Sequence, residues 1–193
     1  GNGLSNKLSS ILTNGNSYLI TITKKIIENQ KLSKFLIKNI LDQVDDNKTG
    51  PWAVGLSMEC KFPIPSLTSS VESRFISKQV RIFKSLKKSI NKSDIVLKEF
   101  LENAKIVTKM SIVACYIQGI GMLKKISKDK KININLKNVI LSWSNNSIIR
   151  ADLLKNLLKN IKINNIDIKY ISKNEFSLKK REKLLSLMKF LIK

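Results

Sequence analysis

The chain has 193 residues, of which 42% are hydrophobic, and its formal net charge is +22. This length suits one domain with a buried core, and no run of about 18 uncharged apolar residues indicates a membrane span. With two cysteines and no histidine, the chain cannot form a disulfide framework, a Cys/His zinc site or a histidine-based catalytic site. Cys60 and Cys115 are therefore expected to be buried, reduced thiols. The first residues lack the apolar segment of a signal peptide, so we expect a cytoplasmic protein.

The positive charge is spread along the whole chain. Only four of the 36 basic residues are arginine, and the rest are lysine. Specific nucleic-acid readers favour Arg and cluster their charge on one face. Joint enrichment of Lys, Ile and Asn is typical of an AT-rich genome. A solvated basic surface is therefore favoured over a nucleic-acid interface, although the charge would attract a phosphorylated substrate.

Apolar residues recur at helical spacing along most of the chain, which predicts an all-α fold. The predicted helices span residues 4–12, 17–28, 32–41, 51–60, 66–77, 78–88, 94–128, 136–143, 148–161 and 177–192, with Ser17 as the N-cap of the second. A polar break is predicted at 144–147, and the strand-like run 163–171 has no partner strand, so it is interpreted as a loop or short helix. Gly119 and Gly121 each weaken their helix by about 1 kcal/mol relative to Ala, which suggests that another helix packs closely there.

The least interchangeable residues lie between positions 49 and 74. This stretch holds all three prolines of the chain, Pro51, Pro63 and Pro65. Pro51 suits the first turn of a helix, whereas Pro63 and Pro65 end one helix and open the next. Arg74 follows in a chain that almost always uses Lys, and a guanidinium suits a bidentate grip on phosphate or carboxylate. A structural salt bridge is the alternative role for Arg74.

No complete catalytic constellation is present in the sequence. There is no glycine-rich phosphate loop, no paired-cysteine motif and no histidine-based triad. Glu59 and Glu72 are expected to be solvated or paired with lysine. The residues therefore predict no catalytic, cofactor-binding or metal site within the chain.

Several blocks of the sequence match, in order, the motifs of one helical enzyme domain. Residues 14–23 match Asn-Lys-Gly-x-Leu-x-Ser-Tyr-Leu-Ile-Glu-Ile-Thr with a shortened turn, and 48–53 match Gly-Thr-Gly-Lys-Trp-Thr. Residues 57–65 match a Ser-Ala-Leu-Glu helix and a Val-Pro corner, and 73–77 match Ala-Arg-x-x-Ser. Further along, 116–123 match Tyr-Ala-Gln-Gly-Phe-x-Leu-Leu, and 143–150 match Trp-Arg-Gly-Gly-Cys-Ile-Ile-Arg. Over residues 4 to about 160 the chain thus resembles the C-terminal helical domain of 6-phosphogluconate dehydrogenase, while 161–193 are divergent.

The resemblance implies that residues 1–193 form a single helical domain that binds substrate and forms homodimers. The family oxidises 6-phosphogluconate with NADP and decarboxylates it to ribulose 5-phosphate, a step of the pentose phosphate pathway. Its catalytic Lys and Glu, and the domain that binds most of the NADP, would precede Gly1. We therefore expect this chain to be a piece of a longer protein and to be inactive alone.

The resemblance implies several phosphate-binding residues, and of these Arg74 is present in this chain. Pro51 stands where the family has a binding Lys, and Ala53 stands where it has a binding Thr. Each lost charge-assisted hydrogen bond costs about 1.5–3 kcal/mol, so losing several would weaken binding by orders of magnitude. Two alternatives therefore stand beside the enzyme domain: a degenerate, inactive dimerisation scaffold and, less favoured, a basic nucleic-acid-binding domain.

Overall fold

The computed structural model describes residues 17–29, 43–45, 47–79 and 97–160, and Glu182. Its helices are α1 (Tyr18–Glu28), α2 (Thr49–Glu59), α3 (Pro65–Gln79), α4 (Leu97–Asp129), α5 (Leu136–Asn145) and α6 (Asp152–Asn160). In this part of the chain the β-structure is limited to one isolated bridge, between Ser17 and Ala151. The predicted all-α fold is confirmed.

Several predicted elements lie outside the described residues. These are the helices 4–12 and 32–41, nearly all of 78–88, and the run 163–171. Of the last predicted helix, 177–192, only Glu182 is described, and it is helical.

Helix α1 begins where its capping residue predicts. The Ser17 side chain accepts a hydrogen bond from the Ile20 N–H at 3.4 Å, and this satisfies one of the amides that the first helical turn leaves without a partner. The helix ends at Glu28, as expected from its apolar spacing.

Helix α2 ends in a tight corner that leads into α3. Lys61 adopts the left-handed conformation, with φ of 53°. Its N–H donates to the Met58 carbonyl at 3.2 Å, and the next N–H, of Phe62, donates to the Ser57 carbonyl at 3.0 Å. This pair of bonds is the Schellman arrangement that closes a helix C-terminus. Helix α3 then starts at Pro65, whose fixed φ suits a first helical turn.

Helix α4 is the centre of the fold, because its side chains belong to both hydrophobic clusters. The cluster shared with α5 and α6 consists of Val113, Tyr116, Ile120, Ile140, Ala151, Leu154 and Leu157. The cluster shared with the α2–α3 corner consists of Cys60, Ile64, Met122 and Ile126. The predicted burial of Cys60 is confirmed, whereas Cys115 is half-buried.

Helix α5 packs beside Gly119, one of the two glycines of α4, but at a distance that does not require a glycine. A Cβ at Gly119 would lie 3.7 Å from the Trp143 ring of α5, an ordinary van der Waals distance, so an alanine would also fit. Gly121 is buried.

The sequence prediction for α5 and α6 is wrong at their junction. Ser144 was assigned to the polar break, but α5 runs to Asn145, and Ser144 is 1% exposed with its hydroxyl donating to the Leu141 carbonyl. Helix α6 begins at Asp152 and not at Ile148. The backbone N–H of Arg150 donates to the Ser147 carbonyl at 3.1 Å, which holds this segment in a turn.

One described helix meets the length and composition test for a membrane span. It is the part of α4 from Asn103 to Asp129, whose most apolar window has a mean hydropathy of 1.5. The test admits two charged residues, which is why α4 meets it although no uncharged run of about 18 residues occurs. Core helices of soluble proteins meet the same test, and α4 supplies the core here.

Candidate functional site

Arg74 lies in the second half of α3, and it is half-buried. Its backbone carbonyl accepts a hydrogen bond from the Ser77 hydroxyl at 2.7 Å. The Ser77 oxygen in turn accepts the Val44 N–H at 3.1 Å. The segment that leads into α2 is thus tied to the helical turn that carries Arg74.

A surface ion pair makes the same connection. Lys78 Nζ lies 3.0 Å from a carboxylate oxygen of Asp45. Both side chains are exposed, so the pair adds little stability, but it lies beside the Val44–Ser77 hydrogen bond. The end of α3 and the entrance to α2 therefore share one end of the structure.

The other two predicted positions lie in the first turn of α2. Pro51 is half-buried, and the neighbouring Trp52 is 70% exposed. Ala53 packs against the cluster around Cys60 and Ile64, so its methyl group contributes to the core. The structure thus places Pro51 and Ala53 on α2 and Arg74 on α3, two helices that pack against each other.

Gln118 of α4 organises the start of α3, a role that its residue type and spacing do not predict. Its Oε1 accepts hydrogen bonds from the backbone N–H groups of Ser66 at 3.0 Å and Leu67 at 3.3 Å. Its Nε2 donates to the Ser66 hydroxyl at 3.0 Å. Gln118 is thus a side-chain cap for α3 supplied from another helix. The one indication in the sequence that Gln118 matters is its place in the Tyr-Ile-Gln-Gly block, which matches a family motif.

Glu59 and Glu72, the carboxylates between positions 49 and 74, lie at the surface, as expected. Glu59 pairs with Lys130 at 2.9 Å at the surface. Glu72 is exposed and borders a cavity of about 670 Å³ at the α2–α3 corner. That cavity is lined by residues between Ser57 and Glu72, and its walls are mainly apolar; Arg74 is not among the lining residues.

Two titratable groups of α4, the buried Tyr116 phenol and the half-buried Cys115 thiol, have raised pKa values. Burial raises the pKa of the Tyr116 phenol to about 12, and the neighbouring Cys115 adds to this increase. Burial likewise raises the pKa of the Cys115 thiol. The Tyr116 hydroxyl donates to the Ile149 carbonyl. Both groups are therefore neutral near pH 7 and serve packing and hydrogen bonding.

Comparison with known proteins decides the family. The profile of the 6-phosphogluconate dehydrogenase C-terminal domain matches residues 10–193. The chain belongs to this family. It is 33% identical over 149 residues to the decarboxylating 6-phosphogluconate dehydrogenase of Staphylococcus aureus strain N315, an alignment that covers 73% of this chain and 31% of that enzyme. It is 34% identical over 148 residues to the enzyme of the same name from Staphylococcus epidermidis strain ATCC 12228 / FDA PCI 1200, with the same coverage.

The chain thus spans about a third of the length of these 6-phosphogluconate dehydrogenases. The family implies NADP, but the described helices contain no glycine-rich loop between a strand and a helix of the kind that holds a dinucleotide pyrophosphate. The described residues of this chain therefore do not form a site for that cofactor.

Proposed function

We propose that this chain is the substrate-binding and dimerisation part of an NADP-dependent 6-phosphogluconate dehydrogenase, acting in the cytoplasm, and that Arg74 binds the substrate phosphate. The enzyme's reaction is the oxidative decarboxylation of 6-phosphogluconate to ribulose 5-phosphate. The family match over residues 10–193 carries the proposal. The position of Arg74 supports the role given to it.

Three features of Arg74 favour phosphate binding. It is one of four arginines in a strongly lysine-rich chain, and it stands at the Arg of the family motif. None of the ion pairs found among the described residues involves its guanidinium. The hydrogen bonds of Ser77 fix the helical turn on which it lies. A planar cation on a fixed turn suits bidentate recognition of a phosphate.

Pro51 and Ala53 favour a second candidate function, an inactive helical scaffold that only dimerises. Proline provides no side-chain donor, and the methyl group of Ala53 faces the core. The site that we propose therefore retains one of the three side chains that the family motifs place there. Binding through Arg74 should accordingly be weak.

Titration of 6-phosphogluconate against the 193-residue chain tests the proposal. We expect saturable binding that Arg74→Ala weakens about tenfold or more, because a charge-assisted hydrogen bond contributes about 1.5–3 kcal/mol. Arg74→Lys should bind with an affinity between those of the parent chain and Arg74→Ala, since lysine keeps the positive charge but lacks the planar, bidentate guanidinium. Lys124→Ala, which removes the same charge from an exposed position on α4, is the matched control and should bind like the parent chain.

Equal binding by the parent chain and Arg74→Ala would exclude Arg74 as the phosphate ligand. If neither binds, while circular dichroism shows both to be helical, the inactive scaffold is the better description.

A further inference from the structure

A separate polar cleft lies where α1 meets the turn between α5 and α6. Its volume is about 300 Å³, at the lower end of the range of about 300–1,000 Å³ typical of small-molecule sites. It is lined by Ser17, Tyr18, Thr21, Ser144, Arg150, Ala151, Asp152 and Lys155. None of these residues belongs to the stretch 49–74, so the cleft is distinct from the proposed Arg74 site.

Backbone contacts fix the walls of this cleft relative to each other. Ser17 and Ala151 form an antiparallel bridge. Beside it, the Tyr18 N–H donates to the Arg150 carbonyl at 3.0 Å. Ala151 is 7% exposed and belongs to the core cluster of α4, α5 and α6. The polar side chains of the cleft therefore project from a framework that the core holds in place.

Arg150 presents the edge of its guanidinium. Its Cζ lies 3.3 Å from the centroid of the Tyr18 ring, so the aromatic ring covers one face of the cation. Its Nη1 donates to the Ser147 carbonyl at 3.0 Å. A stacked guanidinium keeps its in-plane N–H groups for hydrogen bonds, and such a fork matches the oxygens of a phosphate.

Lys155 and Ser17 supply further donors. The Ser17 oxygen accepts the Ile20 N–H, which leaves the Ser17 hydroxyl hydrogen to donate elsewhere. Lys155 lies 3.6 Å from the Asp152 carboxylate, and these two side chains are 60% and 51% exposed. A pair this long and this exposed is weak, so Lys155 can turn to another anion. With Arg150, the cleft carries two positive charges and one negative charge.

The sequence departs from the family motifs at two lining positions. Thr21 stands at the Glu of the Leu-Ile-Glu-Ile-Thr block, and Ser144 stands at the Arg of the Trp-Arg-Gly-Gly block. Both departures replace a long charged side chain with a short hydroxyl, and both border this one cleft. The loss of the Glu removes a negative charge that would repel an anion, and the loss of both side chains leaves room for one.

We propose that the cleft between α1 and the α5–α6 turn binds a small phosphate-bearing anion through the Arg150 guanidinium, the Lys155 ammonium and the Ser17 hydroxyl. The proposal does not depend on 6-phosphogluconate dehydrogenase activity or on Arg74.

Two pairs of matched variants test the cleft, with inorganic phosphate and glycerol 3-phosphate as probes in calorimetric titrations of the full chain. We expect a Kd of about 1 mM or below for at least one probe. Lys155→Gln should weaken binding about tenfold or more, while Lys159→Gln, which removes the same charge one turn further along α6, should not. Preference for glycerol 3-phosphate over inorganic phosphate would identify a phosphorylated metabolite as the ligand, and the reverse would identify free phosphate.

Thr21→Glu should abolish binding, because it returns a carboxylate to the cleft. Thr23→Glu is its control: the two threonines lie on the same helix, are exposed, and donate to the carbonyl four residues earlier, but Thr23 does not line the cleft. Because the probes could also bind at Arg74, the Lys155 and Lys159 variants are compared again in the Arg74→Ala background, where Lys155→Gln should still weaken binding and Lys159→Gln should not.

The proposal is overturned if neither probe shows saturable binding, or if Lys155→Gln binds like the parent chain. It is also overturned if Thr21→Glu and Thr23→Glu weaken binding equally, since the effect would then be one of overall charge. Circular dichroism of each variant establishes that the helices are intact.

Discussion

Lysines occupy left-handed backbone positions that glycine usually takes. Lys61 and Lys131 have φ values of 53° and 52°. Each follows a helix end, and the Ile132 N–H closes the end of α4 on the Ser127 carbonyl at 3.1 Å, as Phe62 does for α2. A side chain in this conformation is strained, because its Cβ approaches the following carbonyl.

Replacing Lys61 with glycine should therefore stabilise the protein. We expect Lys61→Gly to raise the free energy of unfolding by about 0.5–1 kcal/mol, because relief of the strain exceeds the extra chain entropy that glycine loses. Urea denaturation measures the change. Lys124→Gly, inside α4, should lower the free energy by about 1 kcal/mol. A loss of stability in both variants would contradict the strain at Lys61.

Tyr116 should make stability depend on alkaline pH. Its pKa is raised to about 12 in the folded chain, whereas the unfolded phenol titrates near 10. Because the pKa is higher in the folded chain, Tyr116 makes its full contribution to the free energy of unfolding below pH 10 and loses it as the pH rises towards 12. The stability difference between the parent chain and Tyr116→Phe should therefore shrink across this window. Comparison of the two chains cancels the titration of the lysines, and a constant difference from pH 8 to 12 would refute the assignment.

At the scale of elements, Gln118 joins α3 to α4. Gln118→Leu should lower the free energy of unfolding by about 1–3 kcal/mol, because it leaves the Ser66 and Leu67 N–H groups without their partner. Hydrogen exchange at these two amides should accelerate more than in the rest of α3. Gln79→Leu, at the exposed end of α3, should change stability by less than about 0.5 kcal/mol. Unchanged exchange at Ser66 would show that the cap contributes nothing.

The elements that local sequence specifies were predicted, and those fixed by distant contacts were not. Ser17 and Pro51 indicate helix starts because capping and a fixed φ act on adjacent residues. The start of α6 was predicted four residues early, since Ile148 and Ile149 continue the helical spacing. Ile148 and Ile149 lie instead in a turn before α6. This turn depends partly on the bridge between Ala151 and Ser17, and Ser17 is far away in the sequence. Likewise, nothing near Gln118 in the sequence indicates that it caps α3.

The sequence predicts where a candidate site would lie, but it does not predict the contacts around that site. The stretch 49–74 stood out because Pro51 and Arg74 are rare residue types in this chain. The hydrogen bond from Val44 to Ser77, which brings the two ends of the stretch together, joins residues that look unremarkable in sequence.

At the scale of the whole molecule, exposed apolar surface favours association of two chains, and the net charge opposes it. In the most apolar window of α4, 33% of the residues are buried within a single chain, and Trp52 and Met58 are each 70% exposed. Apolar surface of this kind favours association with a second copy, as the family suggests. The net charge of +22 opposes it.

We therefore expect a homodimer whose dissociation constant falls as salt screens the repulsion. Sedimentation velocity at about 0.05 and 0.5 M salt should show a larger dimer fraction at the higher concentration, because the Debye length shortens from more than 10 Å to less than 5 Å. A monomer at both salt concentrations would contradict the dimer.

The cap on α3 has a consequence for how the Arg74 region changes over evolution. The amino end of a helix is a ready-made anion site, but here the Ser66 and Leu67 amides are already occupied by Gln118. Arg74 lies about two turns further along α3, so a phosphate bound there would be held by side chains and not by the first-turn amides of this helix. Side-chain ligands can be exchanged one mutation at a time without disturbing the fold, whereas backbone ligands cannot. Phosphate affinity in the Arg74 region is therefore open to adjustment by single substitutions, such as those at positions 51 and 53.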